Sequence, residues 1–210
     1  MKTRIALLSL LTIACLVLAV APAMADTLYD NGPYNGTTDA WAINFGFAVS
    51  DSFTDGSGAP IRGLNIVYWD ESSSDVLTTV DMALGSTSFG GTPQTLTGVT
   101  NTLLGTNQYG FSLYRADYSF AGIPWSGAGY MTLSNACSTS GCSISNPIFW
   151  DENSGPSTAY ENTIGSIPSE SFTLTGGTTP CFCTPEPSSI LLFGSGVLGL
   201  VGVLRRKLSR

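Results

Sequence analysis

Trp41-Ala42-Ile43-Asn44-Phe45-Gly46-Phe47-Ala48-Val49 decides the fold class. Large apolar side chains at 41, 43, 45, 47 and 49 alternate with small or polar ones. Successive side chains of a strand point to opposite faces, so a period of two predicts a β-strand with one buried face. Ile61 to Trp69 reads as a second strand, apolar on both faces near Ile66-Val67-Tyr68-Trp69. Further strands are expected at Leu77–Leu84, Tyr109–Phe120, Tyr130–Leu133, Pro147–Trp150 and Glu170–Leu174. Turn chemistry separates them at Asp55-Gly56, Gly90-Gly91, Asn101, Gly105, Gly127 and Gly155-Pro156. The expectation is an all-β fold: a single β-sandwich over residues 26–175, of jelly-roll type, with 176–184 as a linker.

Composition excludes much. The chain has 210 residues, 43% hydrophobic and only 11% charged, with no histidine. Residues 26–184 carry 14 acids against Arg62 and Arg115, a net charge of −12. Such a surface repels phosphate backbones, so nucleic acid is not an expected partner. Without histidine there is no Ser-His or Cys-His nucleophile and no imidazole metal site. No lysine lies between Lys2 and Lys207, which removes Schiff-base chemistry from the folded region.

The two ends read as addresses. Lys2 and Arg4 precede an apolar run from Ile5 to Val20, and Ala23-Met24-Ala25 offers a small-x-small cleavage pattern. Residues 1–25 are therefore a signal peptide, cut by signal peptidase between Ala25 and Asp26. At the other end, Pro185-Glu186-Pro187 precedes an uncharged run, Ile190 to Leu204, and then Arg205-Arg206-Lys207. Fifteen helical residues span about 22 Å, and Ser188, Ser189 and snorkelling arginines extend that reach towards the bilayer thickness. A transmembrane helix is expected over 188–204, its basic cluster cytoplasmic and the sandwich on the far side.

These three ordered parts resemble the PEP-CTERM sorting signal of exported proteins from Gram-negative, often biofilm-forming bacteria. The resemblance covers residues 185–210, with Gly194, Gly196, Gly199 and Gly202 in the expected helix. It implies recognition by a membrane-embedded exosortase near Pro185–Pro187, transient anchoring in the inner membrane, then release or attachment outside. Glu186 is in that case a substrate residue for another protein. More loosely, Tyr29-Asp30-Asn31-Gly32, Ser50-Asp51-Ser52-Phe53 and Trp150-Asp151-Glu152-Asn153-Ser154-Gly155 resemble a β domain recurring among such proteins.

Within the middle, two short echoes stand out. Ser50-Asp51-Ser52-Phe53 is matched by Ser169-Glu170-Ser171-Phe172, and Tyr68-Trp69-Asp70-Glu71-Ser72 by Phe149-Trp150-Asp151-Glu152-Asn153. They mark either paired strands or coincidence in a biased composition. Cys137 and Cys142 bracket a short turn and form a disulfide candidate in an oxidising compartment. Cys181 and Cys183 leave local, intermolecular and metal-bound options open. Carboxylates are the remaining general acids or bases. Trp69 and Asp70, with Trp150, Asp151 and Glu152, suit carbohydrate binding by ring stacking and hydroxyl capture. Asp70, Glu71, Asp151 and Glu152 are the glycosidase candidates, and a strand-end tryptophan followed by a turn is the structural alternative. No cofactor is expected. Acidic Asp/Asn/Gly loops supply calcium-type ligands, but Asp51 to Arg62 is no EF-hand, since Arg62 stands where the glutamate belongs. The expected role is a secreted, non-enzymatic surface or extracellular-matrix protein, structural or adhesive, in contact with exopolysaccharide.

Overall fold

The computed structural model describes residues 26–142 and 146–176. The expected signal peptide, the 188–204 helix, the sorting motif and Cys181/Cys183 lie outside these residues. The described chain forms β1 (Asp26–Asp30), β2 (Ala40–Ala42), β3 (Ala48–Asp55), β4 (Ile61–Asp70), β5 (Leu77–Gly85), β6 (Gln94–Leu96) and β7 (Thr100–Thr106). The second half adds β8 (Ser112–Ile123), β9 (Gly127–Ser138), β10 (Ile148–Asp151), β11 (Ala159–Glu161), β12 (Gly165–Ile167) and β13 (Phe172–Gly176). No helix among the described residues is long and apolar enough to cross a membrane.

Two antiparallel sheets face each other as a β-sandwich. One has seven strands: β1, β13, β4, β10 and β2 in order, with β8 on the other flank of β4 and β7 beyond it. The other orders its six strands β12-β11-β3-β9-β5-β6. Chain order alternates between the sheets, so most connections cross from one layer to the other. Ile66 and Tyr68 of β4, Val49 and Phe53 of β3, Met131 and Leu133 of β9, Trp150 of β10, and Leu174 of β13 fill the space between them. Alternation supplies that face: the inward positions of β4 are buried side chains two residues apart.

The stretch that announced the fold is not one strand. Trp41 and Ala42 belong to β2 in the seven-stranded sheet, whereas Ala48 and Val49 open β3 in the six-stranded one. Between them Phe45 adopts φ 60° and Gly46 φ 89°, and the Phe47 N–H donates to the Asn44 carbonyl at 3.0 Å. The apolar alternation spans the break because Ile43 is core at the crossing point, donating to Ile148 O and accepting from Ala136 N, each at 3.0 Å. The strands β1, β6, β7, β11 and β12 were not expected. They are short or polar segments, all at sheet edges except β11, which lies between β12 and β3, and their partners, not their own pattern, hold them extended.

The echoes resolve differently. Tyr68 stands opposite Trp150 and Trp69 opposite Phe149 in adjacent antiparallel strands. Ser50–Phe53 and Ser169–Phe172 lie in different sheets, yet the Glu170 N–H donates to Asp51 Oδ2 across the gap at 2.8 Å.

Candidate functional site

On β4 the residues that point away from the core include Val67 and Trp69. Trp69 and its cross-strand partner Phe149 thus share the outer face of the seven-stranded sheet. The β7–β8 turn brings two more rings over them. Asn107 builds that turn: its Oδ1 accepts the N–H groups of Tyr109 and Phe111, each at 3.0 Å, and its N–H donates to Phe111 O at 2.9 Å. Trp69 stacks with Tyr109 at 6.0 Å between centroids, lies 5.8 Å from Phe111, and Phe111 meets Phe149 edge-on at 5.7 Å. These rings, with Thr38, Asp39 and Ala40, line an open groove of about 390 Å³. Tyr109 is 57% exposed at its rim, while Trp69, 4% exposed, forms its floor.

The opposite wall is the segment leading into β2. Asp151 fixes it: one carboxyl oxygen accepts the Asn35 N–H at 2.8 Å, the other accepts the Gly36 N–H at 2.7 Å and Trp69 Nε1–H at 2.6 Å. Burial raises the Asp151 carboxyl from its ordinary value, and these donors oppose the rise. Gln108 Nε2 donates to Thr37 O at 3.0 Å and ties the two walls together. A groove with aromatic surfaces and one carboxylate can hold a pyranose by its C–H face while accepting its hydroxyls.

Of the five carbohydrate candidates only Trp69 lines this groove. Trp150 is fully buried between the sheets, its Nε1–H donating to Ser171 O at 2.8 Å, so no sugar can reach it. Asp70 is also fully buried, accepting from Ser72 N at 2.8 Å. Burial raises its carboxyl, and neighbouring Asp75 adds to the rise. Asp151 serves Trp69 from behind. Glu152 turns inward and accepts Trp41 Nε1–H at 3.2 Å; burial raises it too. Tyr109, Phe111, Phe149 and Asp39 were missed as site residues. For Tyr109 and Phe111 a signal lies in the sequence, an aromatic pair around Gly110 after Asn107-Gln108, although the apolar pattern reads Tyr109 as the start of a strand.

The Cys137–Cys142 disulfide is formed, with Cα atoms 4.4 Å apart, across the turn after β9. Beside it Asp75 accepts from Ser138 Oγ at 2.7 Å, Ser140 N at 2.9 Å and Thr139 Oγ1. Burial pushes the Asp75 carboxyl up, but these bonds outweigh it and hold the group down to about 2.

Residues 184–207 match the PEP-CTERM protein-sorting motif. The match contains Pro185, Glu186 and Pro187 as well as Arg205, Arg206 and Lys207. The chain thus carries the sorting motif of an exosortase substrate, which implies export and membrane-associated sorting towards the cell surface. No curated protein matches the chain.

Proposed function

We propose that this exported chain is a non-enzymatic surface or extracellular-matrix protein whose sandwich adheres to polysaccharide through the outer-face aromatic groove. In this reading signal peptidase cuts before Asp26, the 188–204 helix holds the protein transiently in the inner membrane, and exosortase processing at Pro185–Pro187 delivers it outside. One observation carries the binding role: Trp69, Tyr109, Phe111 and Phe149 converge on one open groove beside Asp39. Aromatic rings that are held in place and partly exposed lose little entropy on binding a flat apolar sugar face. The net charge of −12 over residues 26–184 favours a neutral glycan over a polyanion.

Glycosidase chemistry has less support. It needs two carboxyls flanking the scissile bond, and among the described residues lining the groove only Asp39 has one.

The test is binding of the full-length protein to its host's exopolysaccharide and to a panel of neutral polysaccharides, with and without calcium. Tyr109→Ala should weaken binding about tenfold with its melting temperature unchanged. Binding that survives both Tyr109→Ala and Phe149→Ala at full strength would remove the groove from the reading.

A further inference from the structure

Three carboxyls occupy positions where core side chains belong. On β3, Val49 and Phe53 are core residues, and Asp51 between them faces the same way. In the other sheet Trp150 and Phe172 meet edge-on at 5.7 Å within the core. Glu152 and Glu170 lie two positions from them and oppose each other as bridge partners. Asp51 and Glu170 are fully buried, and Glu152 is 9% exposed. Asp51 Oδ2 accepts the Glu170 N–H at 2.8 Å and the Asn31 amide at 3.2 Å. Asp51 Oδ1 and both carboxyl oxygens of Glu170 are enclosed without a hydrogen-bond partner.

The groups around this cluster are neutral or acidic. Asp151 of β10 and Asp39 ahead of β2 add negative charge towards Glu170, and the Tyr29 hydroxyl of β1 faces Asp51. Asn31, Ser157 and Ser169 fill the rest, with Asn31 Nδ2 2.6 Å from Ser157 Oγ and 2.7 Å from Ser169 Oγ. The two arginines of the described residues are elsewhere: Arg115 bonds Asp117 at 3.0 Å, and the Arg62 guanidinium lies against Gly122. Among the described residues no group of three or more acidic or cysteine side chains is arranged to hold a metal ion. An enclosed carboxylate with neither donor nor counter-charge is strongly disfavoured, and a proton removes the charge.

We propose that Glu170, with Asp51 and Glu152, forms a proton-dependent lock between the two sheets. The sandwich closes at this end with the Glu170 carboxyl protonated, and the end loosens as pH rises. Burial first, then Asp51 and Glu152, holds the Glu170 carboxyl well above the ordinary 4.5, and burial pushes Asp51 up to about 6. A carboxyl raised by folding contributes its stability below the unfolded value and loses it as pH rises through the folded one. The segments released together are those that Asn31 joins: the chain after β1, the 153–157 loop and the start of β13. Their fit is close, since a Cβ on Gly155 would lie 2.1 Å from Asn31 O.

Thermal melting of the full-length protein in detergent, from pH 4 to pH 9, tests the lock against Glu170→Gln, the neutral isostere. The wild-type melting temperature should fall by about 5 °C or more between pH 5 and pH 8, and the variant should flatten that limb. An equal slope in both proteins overturns the proposal, as does a wild-type melting temperature that rises over that range. Should Glu170→Gln fail to fold, infrared spectra of the wild type decide. A protonated-carboxyl band at neutral pH that disappears as stability falls is expected, and its absence overturns the lock. Stabilisation by calcium chloride at pH 8 in the wild type alone would assign the missing positive charge to a metal ion and overturn it equally.

Discussion

Trp69 and Trp150 stand on neighbouring strands, in sequence contexts that echo each other, and one step of the pleat separates their fates. The antiparallel register sets Trp69 opposite Phe149 on the outer face and Trp150 opposite Tyr68 in the core. Trp150→Ala should therefore cost about 3–5 kcal/mol in a denaturant titration, whereas Tyr109→Ala should stay within about 0.5 kcal/mol of the wild type. Asp75 makes a prediction of the opposite pH sign from Glu170. Its folded value near 2 lies below the ordinary 3.8, so its stabilisation is present above 3.8 and fades as pH falls towards 2. Asp75→Asn should lose about 1–2 kcal/mol at neutral pH and converge with the wild type in acid, as read from unfolding curves at several pH values. Sequence made the acidic and aromatic residues visible as a set. It could not sort them, because inward and outward differ by a single register step that only strand pairing fixes.

At the scale of elements, the turn after β9 is clipped twice, by Cys137–Cys142 and by the Asp75 carboxylate. Replacing both cysteines by alanine should lower stability by about 2 kcal/mol, the amount expected for so short a closed loop. Combined with Asp75→Asn the losses should fall short of the sum, since both act on the same few residues; a double-mutant cycle measures the shortfall. This element was readable in advance because the cysteine spacing encodes it locally. The same holds for β4, β5 and β10, whose apolar patterns lie close to their observed bounds. Residues 41–49 were read as one strand because their alternation does not distinguish a continuous strand from two joined by a tight turn. Phe45 at φ 60° is what breaks it, and a phenylalanine gives no warning of positive φ. The edge strands were silent for another reason: Gln94–Leu96 and Gly165–Ile167 are extended because a neighbour offers its ladder.

For the whole molecule, the two pH effects oppose each other, so the melting temperature plotted against pH should peak in mildly acidic solution, above the loss at Asp75 and below that at Asp51 and Glu170. Deleting Pro185–Arg210 should reroute the protein in its host, and unchanged location and mass in fractionated cells would contradict sorting by the tail. Export was the most legible property of all, because targeting signals are linear and need no fold to be read. The groove, assembled from four separate segments, was the least. One feature of the sheet joins export to binding. The last described strand, β13, ends at Gly176, which pairs with Ile61 at the far end of β4 from Trp69. A glycan gripped at the groove and a tether pulled through the C-terminal end of β13 would drag two antiparallel neighbours past each other lengthwise. Every ladder bond between Phe172–Gly176 and Ile61–Ile66 would then resist in shear together, instead of parting one by one as in a zip, and β1 on the other side of β13 would add its own row.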